Sequence, residues 1–275
     1  MFSPYYAWAF ERRGSQVNAE NHCAINVALY GEPGHLWSMT ERGARHLHRD
    51  STRFALGPSQ LQWDQDHLQI NIDECCAPFP RKIRGSVRIF PKALSTFVTP
   101  LDDAGTHRWG PIAPCARIEV QLSEPELCWK GEAYLDSNEG DEPVTRAFKT
   151  WDWSRARLRD DSVSVLYDVR QTNASERVIA QRFFRDGSNV AFEPPRSRQQ
   201  LQRSLWRVNR SIRSEGNNTG LITKTLEDGP FYARSLVRAN ICGEDVLAVH
   251  ETLEAQRLKS LAVRLMLPWR MPRRP

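Results

Sequence analysis

The stretch Trp129-Lys130-Gly131-Glu132-Ala133-Tyr134-Leu135-Asp136-Ser137-Asn138-Glu139-Gly140-Asp141-Glu142-Pro143 alternates in its first half as a β-strand does. Trp129, Ala133 and Leu135 fall on one face, and Glu132, Tyr134 and Asp136 on the other. The second half is rich in Ser, Asn, Gly and Pro, which end strands. The pattern therefore predicts Asp136 at a strand mouth, pointing inward yet reachable. A carboxyl beside a tyrosine at such a mouth is a candidate proton donor. The same spacing also suits carboxylates that merely face water.

Working outward, the same alternation recurs on both sides. Cys23 to Tyr30 and His35 to Glu41 flank Gly31-Glu32-Pro33-Gly34, which is hairpin chemistry with a four-residue turn. Leu61 to Trp63 and Leu68 to Ile72 form a second hairpin around Asp64 to His67, and Ile83 to Phe90 and Arg117 to Leu122 continue the series. Beyond Pro143 come Phe148 to Arg155, Val163 to Val169, Val178 to Phe184, Val190 to Phe192, Gln200 to Arg213 as an exposed strand, Leu221 to Leu226 and Tyr232 to Ile241. Strand follows strand with short turns and no βαβ unit. The expectation is an all-β chain of antiparallel sandwiches or barrels. Two β domains are expected, residues 1–145 and 146–275. A short helix over Thr252 to Leu267 closes the chain, with Leu258, Leu261, Ala262 and Leu265 on one face and Pro268 as its stop.

A chain of 275 residues buries a substantial core without staples. Its six cysteines show no C-x-x-C pair and no zinc spacing, which fits a reducing cytosol. The first fourteen residues lack the apolar run of a leader, and no stretch reaches the length of a membrane span. The net charge of +5 is concentrated in Arg270, Arg273 and Arg274 and in the region from Arg196 to Arg213. Such a gradient suits nucleic acid or an anionic membrane surface. No helix-turn-helix, RNP-type or zinc-finger pattern is present, so the reading is no nucleic acid and a membrane surface.

His107 with Trp109, Tyr134 with Asp136, and Trp151 with Trp153 each stand two apart, so each pair shares a strand face. Together they suit an aromatic cavity holding one acid; separately each suits ordinary packing. A carboxylic acid in apolar surroundings keeps its proton near neutrality. Neighbouring aromatic faces stabilise a developing cation by about 0.5 to 2 kcal/mol each. Asp136-x-Asn138-x-Gly140 misplaces the glycine and lacks the final glutamate of a calcium loop. His46-x-His48 lacks further ligands, so no metal is expected. There is no Gly-x-Ser-x-Gly elbow. The end of the chain, Leu265-Met266-Leu267-Pro268-Trp269-Arg270, suits a membrane-surface contact or a helix that plugs a barrel.

Several longer blocks carry a resemblance. Phe2 to Trp8, Asn21 to Gly31, Trp37 to Gly43, Tyr134 to Pro143, Trp151 to Arg155 and Met266 to Arg273, from one end of the chain to the other, resemble the carotenoid 1,2-hydratase (hydroxyneurosporene synthase) family. Trp269 departs mildly, standing where the family often has phenylalanine. The resemblance implies two lipocalin-like β domains, no cofactor, and addition of water across the terminal C1=C2 bond of an acyclic carotenoid such as neurosporene or lycopene. It implies Asp136 as the acid, Tyr134 and His107 orienting acid or water, and Trp109, Trp151 and Trp153 lining the path of the cation. Tyr5 and Tyr6 are further candidates for holding the substrate. The implied partners are the carotenoid, water and a transient membrane surface, and the implied location is cytoplasmic, peripheral to the inner membrane. Two other readings stay open, a protonation-initiated terpenoid cyclase and a non-catalytic lipid or pigment carrier.

Overall fold

Ser3 and Pro4 start the chain as a helix instead of a strand. The Ser3 hydroxyl accepts the Tyr6 backbone N–H at 3.1 Å, and proline occupies the first helical position of α1 (Pro4–Arg13). Gly14, at a φ of 62°, ends it. A computed structural model describes residues 3–31, 34–216 and 220–274 of the chain. Tyr5 and Tyr6 pack inward as the density of aromatic residues predicts, but on a helix that the strand-by-strand reading missed.

Strands β1 (Cys23–Leu29) and β2 (Leu36–Arg42) form the first expected hairpin; Glu32 and Pro33 of its turn lie outside the described residues. A basic stretch follows, residues 42–53. It holds β3 (Leu47–Arg49) and β4 (Arg53–Leu56), and then come β5 (Ser59–Asp64), β6 (His67–Cys75), β7 (Lys82–Pro91), the short β8 (Thr99–Pro100), β9 (His107–Glu124) and β10 (Glu126–Gly140). These eight make one sheet in the order β10-β9-β7-β6-β5-β4-β3, with β8 on β9. The second expected hairpin is β5 and β6, with Asp64 opposite His67.

After the single turn α2 (Val144–Ala147) come β11 (Phe148–Arg157), β12 (Val163–Gln171), β13 (Glu176–Phe183) and β14 (Asn189–Ala191). Next are β15 (Arg198–Gln200), β16 (Ser211–Arg213), β17 (Leu221–Asp228), β18 (Tyr232–Ile241) and β19 (Glu244–Leu253). A second sheet runs β14-β13-β12-β11-β19-β18-β17, and β15 pairs with β16 alone. The helix α3 (Leu261–Arg270) and β20 (Arg273–Arg274), which lies parallel to β2, close the chain.

The expected β class with antiparallel sheets and a short terminal helix therefore describes the molecule, with three corrections. Neither large sheet closes into a barrel, because the edge strands β3 and β14 are short and have no partner on their outer sides among the described residues. Residues 200–213 are not one strand. Backbone and side-chain bonds fold residues 201–210 between β15 and β16, with Arg210 donating to the Gln202 carbonyl at 2.6 and 2.9 Å. The terminal helix begins later and contains Pro268, and Thr252 and Leu253 end β19 instead. Of its expected face, Leu258 is buried ahead of the helix and Leu261 and Leu265 are exposed, while Val263 and Leu267 supply the buried side.

Two compact units are distinguished. One comprises Lys92–Cys115 and Tyr134–Val263, and the other residues 3–91, Ala116–Ala133 and 264–274. In the second unit, Gly85 marks a register shift in the pairing of β7 with β9. At its φ of 142° a Cβ would stand 2.4 Å from the Gln121 carbonyl oxygen and 2.5 Å from the Leu122 Cα. We expect Gly85→Ala to lower stability by about 2 kcal/mol, read as a shifted denaturant midpoint with unchanged slope.

Candidate active site

In the first unit, β11 lies between β12 and β19 at the centre of the seven-stranded sheet. Alternation puts Trp151, Trp153 and Arg155 on one face and Asp152 and Ser154 on the other. Register then builds rows: Trp153 stands opposite Tyr167 of β12 and Glu251 of β19, and Glu251 opposite Arg234 of β18. On this face Trp109, Phe148, Trp151, Trp153, Tyr167 and Phe183 share one buried cluster, with Tyr134 packed against it. The Tyr134 and Trp153 rings are 5.6 Å apart, and those of Trp109 and Tyr167 meet edge to face at 5.8 Å.

Asp136 sits in this setting. β10 continues to Gly140, so Asp136 lies within a strand and not at its mouth; pairing with β9 overrides the turn-forming residues. Its Oδ2 accepts the Trp109 indole N–H at 2.8 Å and the Tyr134 hydroxyl at 3.1 Å. Its Oδ1 has no hydrogen-bond partner among the described residues. Burial pushes the Asp136 carboxyl above the usual carboxylate range; the bonds from Trp109 and Tyr134 and the Arg155 charge pull the other way, and Glu251 adds to the rise. Tyr134 is held as a neutral phenol, pushed far up by burial and then by the charge of Asp136. Tyr167 is raised for the same two reasons and donates a long bond of 3.4 Å to the Asn138 amide oxygen. The Arg155 guanidinium lies 5.1 Å from the centre of the Tyr134 ring.

The arrangement is that of a half-buried acid with one oxygen held by two donors and the other free to deliver a proton, walled by aromatic faces. A sequence-family model described as carotenoid hydratase CrtC matches residues 1–275. The chain belongs to the carotenoid hydratase family. It is similar to the acyclic carotenoid 1,2-hydratase of Rubrivivax gelatinosus, 56% identical over 274 residues, which are all of this chain and 67% of that protein. The enzyme of the same name in Thiocapsa roseopersicina is 45% identical over 273 residues, again 67% of its length. That of Cereibacter sphaeroides is 31% identical over 276 residues, 96% of its length.

Within this carotenoid hydratase, the structure brings Asp136, Tyr134, Trp109, Trp151 and Trp153 into one cluster. His107 is engaged elsewhere. Its Nδ1 faces the Asp102 carboxylate at 3.0 Å, its Nε2 the Glu142 carbonyl at 3.1 Å, and its ring packs on Phe148 at 4.7 Å. Burial alone would push Asp102 up, but bonds from Thr106 and His107 outweigh it and hold it below the usual range. The pair ties the segment that starts β9 to the end of the loop after β10. Tyr5 and Tyr6 belong to the other unit, where the Tyr5 hydroxyl donates to the Met271 carbonyl at 2.7 Å. Among the described residues no group of three or more His, Cys, Asp or Glu side chains is arranged to hold a metal ion.

Sequence reasoning missed Arg155, Tyr167 and Glu251. Arg155 was reachable, since it stands two beyond Trp153 in the same alternating run. Tyr167 and Glu251 join only through cross-strand register, and no local pattern carries that.

Proposed function

We propose that this chain adds water across the terminal C1=C2 double bond of an acyclic carotenoid, giving a tertiary alcohol, with Asp136 as the acid. The observation that carries the reading is the asymmetry of the Asp136 carboxyl: two donors on Oδ2, none on Oδ1, in an apolar setting. An alkene is a very weak base and needs a dry, aimed acid. The proton passes from Oδ1 to C2, and the electron pair of the double bond forms the new C–H bond. A tertiary cation remains at C1. Negative charge appears on Asp136 as this happens, and the Trp109 and Tyr134 donors already point at it. The aromatic faces of Tyr134 and Trp153 stabilise the cation by about 0.5 to 2 kcal/mol each. Water adds at C1 and loses a proton to the Asp136 carboxylate, which restores the acid. Names of relatives and family membership support the same substrate class.

Incubating the protein with detergent-dispersed lycopene or neurosporene tests this. A linear product heavier by one water is expected. An isomer of unchanged mass would mean an internal alkene traps the cation, the cyclase reaction. Unaltered pigment that co-purifies with the protein would mean a carrier.

So apolar a substrate is supplied from a membrane, and α3 is built for that contact. Among the described residues no helix is long and apolar enough to cross a bilayer. Leu261, Leu265 and Trp269, at intervals of four, are 71%, 67% and 72% exposed, an apolar stripe facing outward with Arg264 and Arg270 beside it. Removing residues 267–275 would also remove β20 and the Tyr5 bond to Met271, so substitution is the cleaner test. We expect Leu265→Glu with Trp269→Glu to move most of the protein from the membrane to the soluble fraction on sedimentation. Unchanged recovery would remove α3 from the contact.

A further inference from the structure

The second unit holds a cavity of about 410 Å3 that the proposed reaction does not use. Its wall includes Trp8, Arg12 and Arg13 of α1, Asn18 and Asn21 of the turns that follow, and Arg273. Among the described residues no acidic side chain lines it. Arg12 and Arg13 have no hydrogen-bond or ion-pair partner among the described residues. The Trp8 indole N–H is buried with no acceptor. The amide oxygens of Asn18 and Asn21 are taken by the backbone N–H groups of Glu20, at 2.9 Å, and Ala44, at 3.1 Å, which leaves their NH2 ends unused. Arg273 differs, being paired at 3.0 Å with Glu41, which is itself buried behind the wall against His22 and Ser3. The unfilled capacity of the wall is mostly of the donating kind, the Gln16 amide offering both a donor and an acceptor, and two full positive charges accompany it. The end of α1 accounts for part of that charge, since cations favour a helix C-terminus. Both guanidinium groups are exposed, so solvent meets the rest of their hydrogen-bonding capacity until a phosphate displaces it.

We infer that this cavity binds the phosphate of an anionic phospholipid headgroup. Guanidinium forks match phosphate oxygens in pairs, and the NH2 groups of Asn18 and Asn21 add further donors. The Tyr5 and Trp8 rings, edge to face at 5.6 Å, offer an apolar wall to glycerol carbons. The Trp8 ring also carries the Arg264 guanidinium at 5.2 Å, and Arg264 pairs with Glu11 at 2.5 Å, so the first turns of the apolar α3 stripe are fastened to the cavity's own helix. This assignment rests on the proposed supply of substrate from a membrane and names the lipid that the surface recognises.

The test is sedimentation with vesicles of phosphatidylcholine alone or with added phosphatidylglycerol, without pigment, so that it does not depend on the hydration chemistry. Wild-type protein is expected to prefer the anionic vesicles. Arg12→Gln with Arg13→Gln is expected to weaken that binding roughly 30-fold. Arg45→Gln with Arg81→Gln, two exposed arginines outside the cavity with the same charge change, is expected to weaken it far less. Glycerol phosphate should compete for the wild-type protein, and less well for the Arg12→Gln, Arg13→Gln variant. Equal losses in the two double variants would reduce the effect to a diffuse field and overturn the site. Inorganic phosphate competing as well as glycerol phosphate, with no preference between vesicles, would make free phosphate the occupant and overturn the lipid.

Discussion

Asp136→Asn is expected to lower turnover of lycopene or neurosporene by about a thousandfold or more while pigment still binds, since a positioned general acid contributes about 10² to 10⁴ and no other described group takes its place. The amide keeps the shape and keeps an oxygen for the Trp109 and Tyr134 donors, so the fold is not the casualty. The variant should unfold at or above the wild-type temperature at any pH high enough to ionise the wild-type carboxyl. In the wild type at such a pH, burial penalises the charged carboxyl, and the amide carries no charge to penalise. Mass analysis of extracted pigment together with a thermal scan reads both effects. Retained hydration would place the acid elsewhere. Loss of hydration with a collapsed transition would make Asp136 structural.

Trp109→Phe is expected to cost about a hundredfold in turnover, with a signature in pH that misfolding lacks. The indole N–H stabilises the carboxylate as the proton leaves, and removing one such donor costs about 10² to 10³. It also opposes the effect of burial, because a bond to the charged form draws the pKa down. Activity needs Asp136 protonated, so the rate falls as pH rises through its pKa. Without the Trp109 donor that pKa rises further, and the falling limb of the pH profile moves to higher pH while the plateau drops. Tyr134→Phe should move the limb the same way, since its hydroxyl acts on the same oxygen. A lowered plateau with an unmoved limb would mean that Trp109 only packs.

Much of this site was legible one strand at a time. Tyr134 and Asp136 share a face because they are two apart in an extended run, and so do Trp151 and Trp153. Turn composition misled at Ser137 to Gly140, because β9 offers partners across that stretch and a paired strand tolerates residues that an isolated one does not. Which way the helix at the end of the chain faces was open between a membrane contact and a barrel plug. Periodicity shows that a helix has an apolar stripe but not which side the fold covers, and here Leu261, Leu265 and Trp269 are left outside. His107 and Trp109 looked equivalent at their spacing of two. Only one reaches the acid, because Asp102 and the Glu142 carbonyl claim both ring nitrogens of His107.

The sequence by itself determined the β class and the strand faces, including the face shared by Tyr134 and Asp136, the acid we propose, because period-two alternation and short-range spacing are local properties of the backbone. The tertiary structure decided which donors meet that acid. Trp109 is 27 residues from Asp136, and Tyr167 and Glu251 join through registers set between distant strands. A shift of one residue in any of those pairings would turn the side chains to the opposite face, so the identity of the pocket's walls is a property of the packed sheet and not of any one strand.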